Sequence, residues 1–320
     1  MDEFELIRRY FSRLGSARED VLLGVGDDAA ILRVPDGTDL AAAVDTIVSG
    51  RHFPEGSDAR SIGHRALAVN LSDLAALGAT PAWAMLSLTL PQADPDWLEA
   101  FVRGFGDLAR AHGVMLVGGD TTSGPLAVSV QIMGHVARGT ALRRDGGRDG
   151  DLLAVTGTIG DAGAGLALAM SALAADDAAA AGELRRRFEY PTPRVEFGLA
   201  ARGLASAAMD LSDGLAGDLP KLAAASGTGA HVDVDRLPLS RALCKVADPH
   251  RARDYALGAG DDYELLLAVP PARFDALAAR AAALNLTLTA IGELRRGNAV
   301  RWALEGRPYV PAVRGYSHFR

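Results

Sequence analysis

Carboxylates set into apolar surroundings are the feature of this sequence that could do chemistry. Residues 69–79 place Asn70 and Asp73 three apart, hence on one helical face, among Ala66, Leu74 and Leu77. A carboxylate in such company is costly unless something pairs with it. No basic residue lies between Arg65 and Arg103, so a bound cation is the next partner, and it would need further oxygens. The chain supplies them in one repeated format, an apolar run that ends in aspartate. Residues 21–25 lead to Gly26-Asp27-Asp28, 40–44 to Asp45, and 114–117 to Gly118-Gly119-Asp120. Residues 207–209 lead to Asp210, with Ser212, Asp213 and Gly214 following, and 256–259 lead to Gly260-Asp261-Asp262. A single Gly-Asp after a strand is ordinary turn chemistry. The repetition predicts strand ends that converge and bring several carboxylates to one mouth. Such a cluster repels itself unless divalent cations neutralise it, and a donor set made only of hard oxygens favours Mg²⁺, Mn²⁺ or Ca²⁺ over zinc.

The elements that must position these residues follow from periodicity and punctuation. Phe4, Ile7 and Phe11 recur at helical spacing and predict an amphipathic helix over 3–14. Strand-like runs follow at 21–25, 29–34 and 40–44, then the segment 45–53 with His52, a residue type that is more often packed or superficial than a ligand. Asp58 is placed to cap the helix that carries Asn70 and Asp73. Residues 82–90 read as a strand. Asp94-Pro95-Asp96 starts a second helix, which Gly113 stops, and 114–118 and 126–136 are strands around a turn at 119–125. The Gly-, Arg- and Asp-rich stretch 139–151 marks a boundary. Beyond it, a strand at 152–155 runs into the glycine-rich segment 156–165 and an alanine-rich helix. This has the form of a phosphate cradle, but its spacing does not match the dinucleotide fingerprint, and tight strand–helix packing accounts for it equally well. Residues 174–184 read as a mobile linker or helix, and a helix reaches Ala207. Residues 214–226 are helical, 230–234 a strand, and 263–269 and 286–292 are strands flanking a helix at 271–284. The expected fold is α/β with two domains, 1–148 and 149–320.

The chain has 320 residues, of which 49% are hydrophobic, enough for a sizeable core. Its net charge is −7 from 33 basic and 40 acidic residues, with no block of like charge, which argues against a nucleic-acid partner. The single cysteine, Cys244, excludes an internal disulfide framework and a thiolate metal cage, and fits a reducing cytoplasm. The N-terminus is charged from Asp2 onward, unlike a signal peptide, and the longest apolar stretch, 162–175, is too short to span a bilayer.

A multi-aspartate magnesium site most often handles phosphate esters or anhydrides. The usual ATP motifs are missing. A P-loop needs Gly-Lys, yet the two lysines, Lys221 and Lys245, follow Pro and Cys, and the protein-kinase strand lysine and His-Arg-Asp loop are absent. ATP would therefore have to be held by metals, backbone amides and arginines, with Arg143, Arg144 and Arg148 as candidates or as a solvated linker.

These motifs, in this order, resemble the thiamine-monophosphate kinase family. The carrying residues are Gly26-Asp27-Asp28, Asp45-Thr46 with Gly50-Arg51-His52-Phe53, and 69–79. They continue through Gly118 to Thr122, Val155-Thr156-Gly157-Thr158, Asp210-Leu211-Ser212-Asp213-Gly214, Gly260 to Glu264, and the aromatic tail ending His318-Phe319. The Asp-Leu-Ser-Asp-Gly and Gly-Gly-Asp-Thr-Thr pieces are shared with a wider superfamily that includes aminoimidazole ribonucleotide synthetase, selenophosphate synthetase and a hydrogenase maturation factor. The Gly-x-His-Phe element and the tail point to the thiamine enzymes. The resemblance implies a two-domain α/β protomer whose mixed-sheet N-terminal domain, binding metal and ATP, pairs into a homodimer with a barrel-like interface. It implies ATP held with several Mg²⁺, and direct γ-phosphoryl transfer to thiamine monophosphate without a side-chain base. By residue-wise match, Asp28, Asp45, Asp73, Asp120, Asp210 and Asp213 are its metal ligands. Gly119, Asp120, Arg144 and Ser212 are its ATP contacts, and His52, Asp261 and Tyr316 its substrate contacts. The chain departs from the pattern at three positions. Ala43 and Val44 stand where the family has hydroxyl residues before Asp45, which leaves a carbonyl, such as that of Val44, or water for the metal shell. Asp261 stands where glutamate is more common, one methylene shorter in reach. The rival readings are another ATP-dependent synthetase of the superfamily, separable by its products, and a non-enzymatic divalent-metal module, against which the aspartates are scattered rather than packed in one loop as in an EF-hand.

Overall fold

The computed structural model describes residues 3–317, so the His318-Phe319 end of the tail lies outside the described residues. The chain forms two compact units, one of Met1–Leu74 with Ala79–Gly139, the other of Ala75–Gly78 with Thr140–Arg320.

In the first unit a short helix α1 (Glu3–Leu6) passes into a π-helical turn (Ile7–Phe11), burying Leu6 and Phe11, so the amphipathic pattern holds but the helix ends earlier than its periodicity predicts. A hairpin of β1 (Val21–Leu23) and β2 (Ile31–Leu32) follows. The main sheet comprises β3 (Thr38–Val48), β4 (Thr80–Leu90), β5 (Met115–Ser123) and β6 (Ala127–Ala137) in the order β3-β6-β4-β5. It is mixed, since β4 and β5 run parallel and the other pairs antiparallel. Two helices belong to this unit. Helix α2 (Ala59–Leu77) starts where Asp58 Oδ2 accepts the Ser61 amide at 2.9 Å, and α3 (Pro95–Ala111) starts where the Asp94 side chain accepts the amides of Asp96 and Trp97. Both caps are where the sequence puts them. The hairpin packs Val21 and Leu32 against the buried Trp83, Val117 and Met133.

The second unit is built on a seven-stranded sheet ordered β13-β12-β9-β11-β7-β10-β8. Its strands are β7 (Leu152–Thr156), β8 (Ala207–Asp210), β9 (Gly229–Asp233), β10 (Leu265–Val269), β11 (Leu288–Arg295), β12 (Val300–Leu304) and β13 (Arg307–Tyr309). The helices are α4 (Asp161–Ala169), α5 (Ala178–Glu189), α6 (Val195–Ala201), α7 (Leu215–Ala225), α8 (Arg241–Val246), α9 (Pro249–Gly258) and α10 (Pro271–Ala283). The core gathers Leu153, Val155, Met209, Leu219, Leu222, Val232, Leu266 and Ile291. The helix expected to reach Ala207 stops at Ala201, because residues 207–210 pair with 265–268 as a strand. The alanine-rich 178–189 is an ordered helix, with Leu184 and Phe188 buried. The architecture is mixed α/β as expected, and among the described residues no sheet closes into a barrel. No helix among the described residues is long and apolar enough to cross a membrane.

Candidate functional site

Asp45 and Asp120 do not end their strands. β3 runs on to Val48 and β5 to Ser123, because the residues that follow still find ladder partners, and Thr46 and Ser129 also link their hydroxyls at 2.7 Å. Strand length is set here by the neighbouring strand, not by the Gly-Asp signal. The backbone N–H of Asp45 donates to Asn70 Oδ1 at 3.1 Å, and Asn70 Nδ2 donates to the Ala66 carbonyl at 3.0 Å. Asn70 is fully buried, and its amide offers one acceptor and donors at once, which is what a bridge between β3 and α2 needs. The half-buried Asp73 lies one turn further along the same helix face. Val44, just before Asp45, exposes 65% of its surface. In the turn after β3, the Val48 amide donates to His52 Nδ1 at 3.0 Å, so in the neutral ring the proton sits on Nε2.

Across the sheet, Gly119 has φ +148°, and a Cβ there would stand 1.8 Å from the Leu86 carbonyl oxygen, so β5 can lie this close to β4 only with glycine. Gly119 and Asp120 border a small apolar recess of about 40 Å³ lined by Ile7, Phe11, Val25, Leu86 and Leu116. Val25, three residues before Asp28, lines the same recess as Asp120. Asp28 is exposed, and its amide donates to Asp27 Oδ1 at 2.8 Å. Asp45 is thus tied through Asn70 to the helix that carries Asp73, and Asp120 borders the recess that Val25 also lines. Asp45 shares a cross-strand row with Val130, Leu86 and Gly119, and Asp120 stands in the next row, three strand spacings away, about 14 Å.

In the second unit Asp210 closes β8 and is buried. The loop behind it is shaped by a residue that the sequence reading passed over. Asp218, fully buried in the first turn of α7, accepts the Ser212 amide at 3.1 Å and the Asp213 amide at 2.9 Å. Burial pushes its carboxyl above the usual range, against the hydrogen bond from Lys221. Lys221 Nζ donates to Asp218 Oδ1 at 2.9 Å and to Asp213 Oδ2 at 2.5 Å. The i, i+3 spacing of Asp218 and Lys221 was the available signal for this pair. A cation approaching Asp213 must compete with that ammonium. The Asp261 amide donates to the Ser212 carbonyl and the Tyr316 amide to the Asp213 carbonyl, both at 2.9 Å. The structure therefore brings Ser212, Asp213, Asp261 and Tyr316 together. Arg144 is not tied to them by its own side chain. It is exposed, and its carbonyl accepts from Ser226 Oγ at 2.6 Å.

The donors present fit magnesium by type, all oxygen and mostly carboxylate. Among the described residues, however, no three His, Cys, Asp or Glu groups are grouped to hold an ion by themselves. Single or paired carboxylates are what Mg²⁺ uses when phosphate oxygens and water complete its shell.

Residues 26–136 match the AIR synthase related protein, N-terminal domain, and residues 148–303 the AIR synthase related protein, C-terminal domain. The chain is 45% identical over 318 residues to the thiamine-monophosphate kinase of Salmonella typhimurium (strain LT2), covering 99% of this chain and 98% of that one. The chain belongs to the thiamine-monophosphate kinase family. The crystal structure of thiamine-monophosphate kinase from Stenotrophomonas maltophilia K279a is similar over 91% of this chain and 93% of that one, with TM-score 0.85 and 49% identity. A structure described as AaThiL complexed with AMPPCP and TMP is similar over 90% and 89%, with TM-score 0.79 and 30% identity. The two AIR synthase related matches cover the aspartate motifs from Gly26 to Glu264, and the aromatic tail lies beyond them.

Proposed function

We propose that the chain transfers the terminal phosphoryl group of ATP to the phosphate of thiamine monophosphate, giving thiamine diphosphate and ADP. The observation that carries this reading is full-length similarity to thiamine-monophosphate kinases, down to a relative solved with an ATP analogue and TMP. A phosphate oxygen of the acceptor attacks the γ-phosphorus, and the bond from that phosphorus to the β-bridging oxygen breaks. The nucleophile is already anionic, so no side chain has to take a proton, and catalysis is positioning plus neutralisation of charge. Magnesium, when bound, would supply that neutralisation. Asp28, Asp45, Asp73 and Asp120 with the Val44 carbonyl, and Asp210 and Asp213 from the second unit, are the residues that would hold it. Gly119, Asp120, Ser212 and Arg144 contact ATP in this reading. His52 through Nε2–H, Asp261 and Tyr316 receive the thiamine phosphate.

The reading includes a homodimer through an N-terminal domain of residues 1–148, which serves metal and ATP binding, with 149–320 as the second domain. Its support is the sheet itself. Both edges, β3 and β5, lack a further strand among the described residues, and β3 exposes Leu40 and Val44. Pairing β3 of one copy with β5 of another would bring Asp45 of one to Asp120 of the other, and would cover those side chains. A cytoplasmic location is supported by the single, exposed Cys244.

Incubation with ATP, Mg²⁺ and thiamine monophosphate, followed by chromatography, should yield thiamine diphosphate and ADP in equal amounts. Release of inorganic phosphate without thiamine diphosphate would replace this reading with a synthetase-type reaction.

A further inference from the structure

The segment before β10 holds a conformation that its residues disfavour. Gly260 has φ +74°, and Asp261 and Tyr263, both with a Cβ, have φ +64° and +51°. Such a backbone persists only where its surroundings over-determine it. Two kinds of contact do so. The main chain is sewn to the neighbouring loop, since the Asp261 amide donates to Ser212 O at 2.9 Å, the Tyr263 amide to Leu211 O at 3.0 Å, and the Leu211 amide to Glu264 O at 2.8 Å. The intervening side chains turn inward. Asp262 accepts the Gly160 amide at 2.6 Å and the Ala162 amide at 3.1 Å, at the start of α4. Glu264, with no exposed surface, accepts Thr156 Oγ1 at 2.6 Å, Arg187 Nη2 at 2.8 Å and Arg194 Nε at 2.7 Å, and pairs a second time with Arg194. The same Thr156 hydroxyl takes the Leu265 amide at 2.8 Å. Gly157 makes room, because a Cβ there would lie 2.3 Å from Glu264 Oε1.

Two guanidiniums converging on one fully buried carboxylate is more than packing requires, since a buried ion pair is often no more stable than apolar residues of equal volume. What it does fix is direction. Planar guanidinium forks hold a carboxylate in one orientation, and with it the main chain that bears it. We propose that Glu264, clamped by Arg187 and Arg194, is a positioning residue that sets the placement of Asp261 and through it the affinity for the phosphorylated thiazolium substrate. This rests on the kinase reading above, in which Asp261 receives that substrate. The clamp gives a role to the helix at 178–189 and to the glycine-rich segment at 156–165, since one supplies Arg187 and the other Thr156 and the space at Gly157.

Arg187→Gln tests the proposal while leaving the Glu264–Arg194 pair intact for folding, and Glu264→Gln is the companion variant. Hydrogen exchange, read without any substrate, should show faster exchange at the Asp261 and Tyr263 amides in Arg187→Gln, with the β7 and β8 amides unchanged. In kinetics, KM for thiamine monophosphate should rise about tenfold, with KM for ATP and kcat within about twofold. In an Asp261→Ala background the same substitution should add nothing further to that KM, because its effect runs through Asp261. Unchanged exchange at 261 and 263 would overturn the positioning claim whatever the enzyme's substrate. Faster exchange with a KM effect that persists at full size in Asp261→Ala would overturn the route through Asp261. A wild-type protein inactive on thiamine monophosphate would instead overturn the kinase reading, with the exchange result still deciding the clamp.

Discussion

Asp45 and Asn70 are joined by a hydrogen bond of 3.1 Å from the backbone N–H of one to the side-chain oxygen of the other. That bond welds the β3 segment carrying one candidate ligand to the helix carrying another, Asp73. Asn70→Leu removes the bridge and leaves the half-buried Asp45 N–H without this partner, which should cost about 1 kcal/mol of stability. Chemical denaturation reads this directly.

Asp73→Asn keeps the shape and removes the charge. Activity should fall by about a hundredfold or more while the thermal midpoint stays near that of the parent. Turnover near the parental rate at saturating Mg²⁺ would show that Asp73 is no metal ligand.

Asp210 belongs to the second unit and closes β8, where its backbone pairs with Leu265. Asp210→Ala should weaken Mg²⁺-ATP binding by tenfold or more, about 1.4 kcal/mol, with the strand ladder retained. Isothermal titration measures it, and an unchanged affinity would place this loop away from the nucleotide.

Tyr316 is anchored by its main chain, through its amide on the Asp213 carbonyl, while its side chain belongs to a residue 37% exposed. Val313, not Tyr316, packs on the core. In the kinase reading Tyr316 meets the cationic thiazolium with its ring. Tyr316→Ala should raise KM for thiamine monophosphate by about 1–2 kcal/mol in binding, with KM for ATP and the thermal midpoint nearly unchanged. A lowered midpoint with the same KM would make the tail structural.

Asp262 provides a pH test. Burial pushes its carboxyl from the ordinary 3.8 up to about 8, against the amide of Gly160 that favours the charged form. The unfolded chain loses this proton near pH 4 and the folded one near pH 8, so unfolding releases a proton throughout that window. The contribution is therefore full below pH 4 and is lost as pH rises to about 8. Asp161 and Asp218, also raised by burial, act in the same direction. The midpoint should fall between pH 5 and about 8, and Asp262→Asn should flatten that slope. An identical slope in the variant would show that Asp262 is ionised in the folded protein.

The local placement of several candidate residues was legible in the sequence. Helical spacing alone puts Asn70 and Asp73 on one face, and Asp58 and Asp94 announce the helices they cap. The ordered string of aspartate motifs was enough to reach the family. What local pattern does not contain is how far a strand runs or what a side chain meets across the fold. β3 continues past Asp45 because β6 offers it partners, and strand order, invisible to periodicity, puts Asp45 and Asp120 on opposite edges of one sheet. Arg187 and Arg194 reach Glu264 across 77 and 70 residues of chain, and Lys221, set aside for lacking a preceding glycine, finds Asp213 only because α7 folds back beside its loop. Residue types and short spacings determined which groups are candidates for its chemistry. Long-range pairing decided where they stand, because hydrogen bonds and ion pairs between segments far apart in sequence form only when the chain has closed around them.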